Sequence, residues 1–82
     1  MHELAITEHL VRMVTEKANE AGAETVTRVR LVIGERSGYV NESLKMYFGI
    51  MSEGTICAGA ELEFETTEGN EFYLDSIEVA GE

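Results

Sequence analysis

The spacing of the apolar residues changes along this chain, and the change restricts the fold to a mixture of helices and strands. Over about residues 4–21, apolar side chains recur at intervals of three and four, which is typical of an amphipathic helix. The predicted stripe consists of Ile6, Leu10, Met13, Val14, Lys17 and Ala21, widened by Ala18. Gly22 then suits the position just past a helix end, where positive φ is favoured.

Residues 25–35 alternate instead, which predicts a β-strand with Arg28 and Arg30 on its polar face. The apolar face of this strand is expected to carry Thr27, Val29, Leu31 and Ile33. A second helix is predicted to begin at Asn41, as its N-cap, and to end at Gly54. The apolar face of this helix is expected to carry Leu44, Phe48 and Met51.

The last third of the chain predicts two more strands, over residues 60–67 and 71–80. The first carries a row of Glu61, Glu63 and Glu65, which we expect to pair with the two arginines. Residues 68–70 suit a tight hairpin, and the later change of alternation predicts a bulge around Asp75-Ser76. The order α-β-α-β-β indicates a single α+β domain, with two helices packed on one face of a three-stranded sheet.

Length and charge exclude several classes of protein. The 82 residues allow one small domain. The net charge of −10 argues against nucleic acid and membrane as partners, because both reward a basic face. Cys57 is the only cysteine, so an intramolecular disulfide is impossible. No apolar run approaches the roughly 20 residues that span a bilayer, and no signal-peptide pattern is present, so we expect a cytoplasmic protein.

The sequence offers no constellation for catalysis. Both histidines, His2 and His9, lie near the N-terminus, and no nucleophile–histidine–acid set is evident. Gly34 and Gly38 lack the spacing and the following lysine of a phosphate-binding loop. We therefore expect that the protein is not an enzyme.

The first three residues, Met1-His2-Glu3, form a ready chelator for a divalent metal. The terminal amine, the His2 backbone nitrogen and an imidazole nitrogen can reach one ion, and Glu3 can supply a fourth donor. Such a set of nitrogen and oxygen donors suits Ni(II) or Cu(II). The amine has a pKa of about 7.7–8.0, so a metal can displace its proton near neutral pH.

Several separated motifs, in the right order over essentially the whole chain, resemble the HypA/HybF family of hydrogenase-maturation nickel chaperones. These motifs are Met1-His2-Glu3-Leu4, residues 26–31, Ile33-Gly34-Glu35, Glu53-Gly54-Thr55, residues 59–62 and residues 76–79. The resemblance implies that Met1, His2 and Glu3 bind Ni(II). It also implies transfer of nickel toward the large subunit of a nickel–iron hydrogenase, with a HypB-type GTPase as partner, and in some organisms toward urease.

The chain departs from this family between its last two strands. Family members carry there a zinc-binding module with two Cys-x-x-Cys pairs, whose four thiolates suit tetrahedral zinc. Here that place holds only residues 68–70, and one cysteine cannot form such a site. We therefore interpret residues 1–82 as a nickel-binding domain without the zinc module, and we expect no bound zinc. The sequence leaves open whether that absence is natural or engineered.

Other interpretations remain beside the nickel hypothesis. A metal-free interaction or dimerisation module could keep this fold with a vestigial N-terminal motif, and a homodimer stays open. We expect His9 to be an exposed helical residue and Cys57 to pack as a small hydrophobe, with metal binding as the alternative for each. Three methionines at helical positions are expected to fill the core, namely Met13, Met46 and Met51.

Overall fold

The described part of the chain forms two helices and a three-stranded sheet, in the predicted order α-β-α-β-β. The computed structural model describes the backbone of residues 2–81 and the side chains of residues 3–81. Its elements are α1 (His2–Glu20), β1 (Thr25–Gly34), α2 (Asn41–Met51), β2 (Glu61–Thr67) and β3 (Phe72–Ala80). The predicted fold class is confirmed, and Gly22 follows α1 with φ of 71°.

β1 lies in the centre of the sheet, with β2 parallel on one side and β3 antiparallel on the other. The predicted tight hairpin at residues 68–70 is therefore wrong, because β2 and β3 are not neighbours. The last four residues of β1, 31–34, are all buried, as expected for a strand with a neighbour on each side. The connection from β1 to β2 runs through α2, as parallel neighbours require a long crossover.

The short link between β2 and β3 instead crosses the end of β1. The Gly34 N–H donates to the Glu71 carbonyl at 2.7 Å, and the Arg36 N–H donates to the Gly69 carbonyl at 2.8 Å. A Cβ on Gly34 would overlap the Gly69 carbonyl group and lie 2.7 Å from the Asn70 nitrogen. Glycine at position 34 therefore makes the crossing possible.

The core lies between the helices and one face of the sheet. Its largest fully buried side chains include Leu10, Val14, Val29, Leu31 and Leu44. The predicted stripe of α1 is partly wrong, since Lys17 and Ala21 are exposed while Thr7 and Val11 are buried. The reason is that α1 makes most of its close contacts with α2. The buried face of α1 therefore consists of residues 7, 10, 11, 14 and 18.

Two β-bulges set which side chains of the sheet reach the core. The register between β1 and β3 shifts at Asp75, which confirms the predicted bulge. A second shift lies at Thr27, so Val26 is buried and Thr27 is exposed, against the predicted apolar face. The Thr27 hydroxyl donates to the Glu78 carbonyl at 3.2 Å.

The face of the sheet away from the helices carries a network of ion pairs, as predicted for Arg28 and Arg30. Arg28 Nη1 lies 3.0 Å from both carboxylate oxygens of Glu78, and its Nε lies 3.1 Å from Glu63 without hydrogen-bond alignment. Arg30 lies 3.4 Å from Glu63 and 3.3 Å from Glu65. The hydrogen bond to Glu78, and then the charges of Glu78 and Glu63, raise the pKa of Arg28, so it stays charged.

Candidate metal centre

The candidate nickel-binding residues lie at the start of α1. Met1 and the His2 side chain are outside the described residues, whereas the His2 backbone and all of Glu3 belong to the first helical turn. The first four N–H groups of an α-helix have no acceptor within it. The backbone nitrogens of His2 and Glu3 are therefore not needed for the hydrogen bonds of α1.

The Glu3 carboxylate joins the start of α1 to the start of α2. Its Oε2 accepts a hydrogen bond from the Val40 N–H at 3.3 Å. Val40 is the N-cap of α2, with extended backbone and no side-chain cap, so the prediction of Asn41 as N-cap is wrong. Sequence reasoning missed this contact because it joins two elements far apart in the chain.

Three segments of the chain meet at this end of the molecule. The first turn of α1 contacts Val40 through Glu3, and the neighbouring Tyr39 ring lies 4.7 Å from the Phe72 ring, measured between centroids. Phe72 follows the link that crosses Gly34. The candidate metal centre thus lies at the same end of the sheet as the link between β2 and β3.

The other residues singled out from the sequence lie elsewhere. Cys57 is fully buried, with its Sγ 3.5 Å from the Thr15 hydroxyl, which confirms that it packs in the core. Met13 and Met51 pack against the core, but Met46 is exposed, so the prediction for Met46 is wrong. His9 is exposed, as expected. Within residues that the structure describes, no three metal-ligating side chains of the types His, Cys, Asp or Glu come together.

Neither of the two described helices is long and apolar enough to span a bilayer. α1 is the longer one, with 19 residues, and charged side chains occur along it. This finding concerns residues 2–81 alone.

Comparison with known proteins gives consistent matches. The family model for hydrogenase/urease nickel incorporation, metallochaperone, hypA matches residues 1–72. The hydrogenase maturation factor HypA of Dehalococcoides mccartyi strain CBDB1 is 39% identical over 115 residues, covering 100% of this chain and 97% of the relative. That of Caldanaerobacter subterraneus is 48% identical over 65 residues, covering 79% of this chain and 57% of the relative.

Solved structures match in fold. The solution structure of the Ni metallochaperone HypA from Helicobacter pylori superposes with a TM-score of 0.85 at 22% identity, covering 98% of both chains. A second solution structure of a HypA protein gives a TM-score of 0.84 at 23% identity, covering 100% of this chain and 98% of that one. At these identities the likeness is evidence for the fold alone.

Proposed function

The chain belongs to the HypA family of nickel metallochaperones in hydrogenase maturation, and from this premise we propose that it binds Ni(II) through Met1, His2 and Glu3. The family match begins at residue 1 and so includes all three. The observation that carries the proposal is the hydrogen bond from Val40 to the Glu3 carboxylate. It supports a nickel site that is held between two helices rather than on a free tail.

The donors that we assign are the terminal amine, the backbone nitrogens of His2 and Glu3, and the His2 imidazole. Backbone nitrogens at a helix start are free of intrahelical hydrogen bonds, and the helix dipole favours negative charge there. Both effects assist loss of the amide protons when nickel binds. The Glu3 carboxylate is engaged by Val40, so we assign it a positioning role and leave nickel to the nitrogen donors.

We further propose that residues 1–82 form a nickel domain without the zinc module of the family. The alignment with the Dehalococcoides relative runs over 115 residues, more than the 82 of this chain, so the relative carries residues that are missing here. The crossing of the link over Gly34 supports a fold that closes without an inserted module. The expected cargo is Ni(II), and we expect no zinc.

The partners that we propose follow from the family. Nickel would pass to the large subunit of a nickel–iron hydrogenase, or in some organisms to urease, with a HypB-type GTPase taking part. The protein would act in the cytoplasm as a carrier and not as an enzyme. The net charge of −10 favours cationic metal and basic protein surfaces over nucleic acid.

A calorimetric nickel titration of tag-free protein with its native N-terminus tests the site. We expect one Ni(II) per chain, lost in His2→Ala and in a chain whose terminal amine is acetylated. His9→Ala, the other histidine of α1, is the matched control and should bind as the parent does. The affinity for Ni(II) should fall as the pH is lowered, because protons compete with the metal for the nitrogen donors. Unchanged binding by His2→Ala would refute the site.

A metal-free interaction module is the second candidate, favoured by the two open edges of the sheet, at β2 and at β3. It predicts an assembly that forms equally with and without nickel. Light scattering of the parent in nickel and in chelator decides between the two. A homodimer that is indifferent to nickel, together with no nickel binding in the titration, would favour the second candidate.

A further inference from the structure

We propose that the outer edge of β3 binds an extended peptide of alternating apolar and basic residues as a fourth strand of the sheet. This binding surface comprises β3 and the groove between β3 and α1. It is separate from the proposed nickel site and does not depend on it.

The groove offers apolar surface to one side of such a peptide. It has a volume of about 450 Å³ and is lined chiefly by Ile6, His9, Met13 and Lys17 of α1 and by Phe72 and Leu74 of β3. Phe72, Leu74 and Ile77 pack against the core but remain half-buried, because α1 covers this strand incompletely. Apolar side chains of an added strand would cover them.

The edge itself is open for pairing. In the described part of the chain, β1 is the only strand that pairs with β3, so the outer backbone groups of β3 have no partner in the sheet. Each edge has one lysine nearby, Lys17 in the groove at β3 and Lys45, whose ammonium lies 5.8 Å from the centroid of the Phe64 ring of β2. The edges differ in their grooves, because Ser52 and Glu61 contribute polar side chains to the groove beside β2, whereas the groove beside β3 is lined mainly by apolar ones.

The other side of the added strand would meet the charged face of the sheet. Among the described residues, five carboxylates form ion pairs with Arg28 and Arg30 on this face, and two of them, Asp75 and Glu78, lie on β3. The carboxylates are Glu61, Glu63, Glu65, Asp75 and Glu78. Basic side chains opposite Asp75 and Glu78 would form favourable cross-strand pairs. Lys17 in the groove would repel basic side chains on the helical side, so the basic side chains of the peptide should point toward the charged face of the sheet.

The charge also decides against a second copy of this chain. Two copies would each bring a net charge of −10, and β3 paired with itself would place acidic residues beside acidic residues. The bulge at Asp75 divides the edge, so we expect residues 72–74 to provide the apolar anchor and residues 76–80 to continue the pairing.

Backbone amide NMR of the full chain, titrated with synthetic seven-residue peptides, tests the proposal. The test peptide alternates lysine with valine or leucine; one control replaces the apolar residues by serine, and the other replaces lysine by glutamate. We expect the test peptide alone to shift amides of β3 and of residues 6–17. Shifts centred on β2, equal shifts by all three peptides, or no shift would overturn the proposal.

Paired variants separate this edge from general charge attraction. Asp75→Asn with Glu78→Gln should weaken binding about fivefold, as the loss of two cross-strand charge pairs implies. Glu61→Gln with Glu65→Gln removes the same charge from the same face at the β2 edge, and should weaken it less than twofold. Met13→Ser should weaken binding more than Met46→Ser, an exposed methionine of α2. Equal effects within either pair would refute the assigned edge.

Discussion

The carbonyl group of Gly69 lies where a side chain of Gly34 would have to be. The link between β2 and β3 passes over the last residue of β1 at this point, and hydrogen bonds from Gly34 and Arg36 hold it there. Because β1 separates β2 from β3, the chain can connect these two strands so briefly only by crossing the end of β1. The same crossing brings Phe72 toward Tyr39, next to the start of α2.

Gly34→Ala should therefore destabilise the fold by about 1–3 kcal/mol, because the obstructing atoms belong to backbone that cannot move without loss of hydrogen bonds. Gly49→Ala is the matched control. Gly49 lies inside α2 with open space around it, so alanine should stabilise the helix by about 0.5–1 kcal/mol. Urea denaturation of the two variants measures both effects. A Gly34→Ala variant as stable as the parent would contradict the crossing.

The hydrogen bond between Glu3 and Val40 should make a measurable contribution to the packing of α1 on α2. Glu3→Ala removes the acceptor at the N-cap of α2 and should cost about 1 kcal/mol of unfolding free energy. Glu3→Gln keeps an acceptor oxygen, so its loss of unfolding free energy should be smaller. Glu8→Ala provides the control for helix charge, because Glu8 is an exposed glutamate further along α1. Equal losses for Glu3→Ala and Glu8→Ala in thermal denaturation would rule out the capping role.

The sequence is enough to predict features that depend on local periodicity, but not features that depend on contact with an element far away in the chain. The alternation in residues 60–67 was enough to predict the pairing of Glu63 with the arginines, because facing rows follow from strand geometry. Thr27 was placed on the wrong face, because a bulge depends on the pairing partner as well as on the strand itself. At the candidate site, Glu3 was predicted as a member, but its contact with Val40 arises only when two helices pack together.

The pKa of Glu71 should lie below its ordinary value because of a hydrogen bond from Thr67. The Thr67 hydroxyl donates to its carboxylate at 2.6 Å, and this hydrogen bond, followed by one from the Glu71 backbone, lowers the pKa of Glu71. A lowered pKa in the folded state adds stability that is present above the ordinary glutamate pKa of about 4.3. That stability is lost as the pH falls through the folded-state pKa.

Thr67→Val should accordingly raise the pKa of Glu71 toward its ordinary value and remove this part of the acid dependence. Carbon-detected NMR titration of the Glu71 carboxyl group measures the shift directly. Thr27→Val removes another exposed hydroxyl, one that donates to the Glu78 carbonyl, and should leave the Glu71 titration unchanged. A Glu71 titration that is identical in the parent and in Thr67→Val would show that the hydrogen bond has no effect.

Thr7 presents a buried hydroxyl that the packing of α1 leaves without a partner. Its side chain is fully buried, and Oγ1 has no hydrogen-bond partner among the described residues. Valine has nearly the same shape and no polar atom to desolvate, so Thr7→Val should stabilise the fold by about 1–2 kcal/mol.

Thr55→Val is the matched opposite case. The Thr55 hydroxyl donates to the Ser52 carbonyl at 2.7 Å and accepts from the Cys57 N–H at 3.0 Å, so its loss should destabilise the fold by about 1–3 kcal/mol. Urea denaturation distinguishes the two signs, and a destabilised Thr7→Val variant would contradict the prediction for the buried hydroxyl.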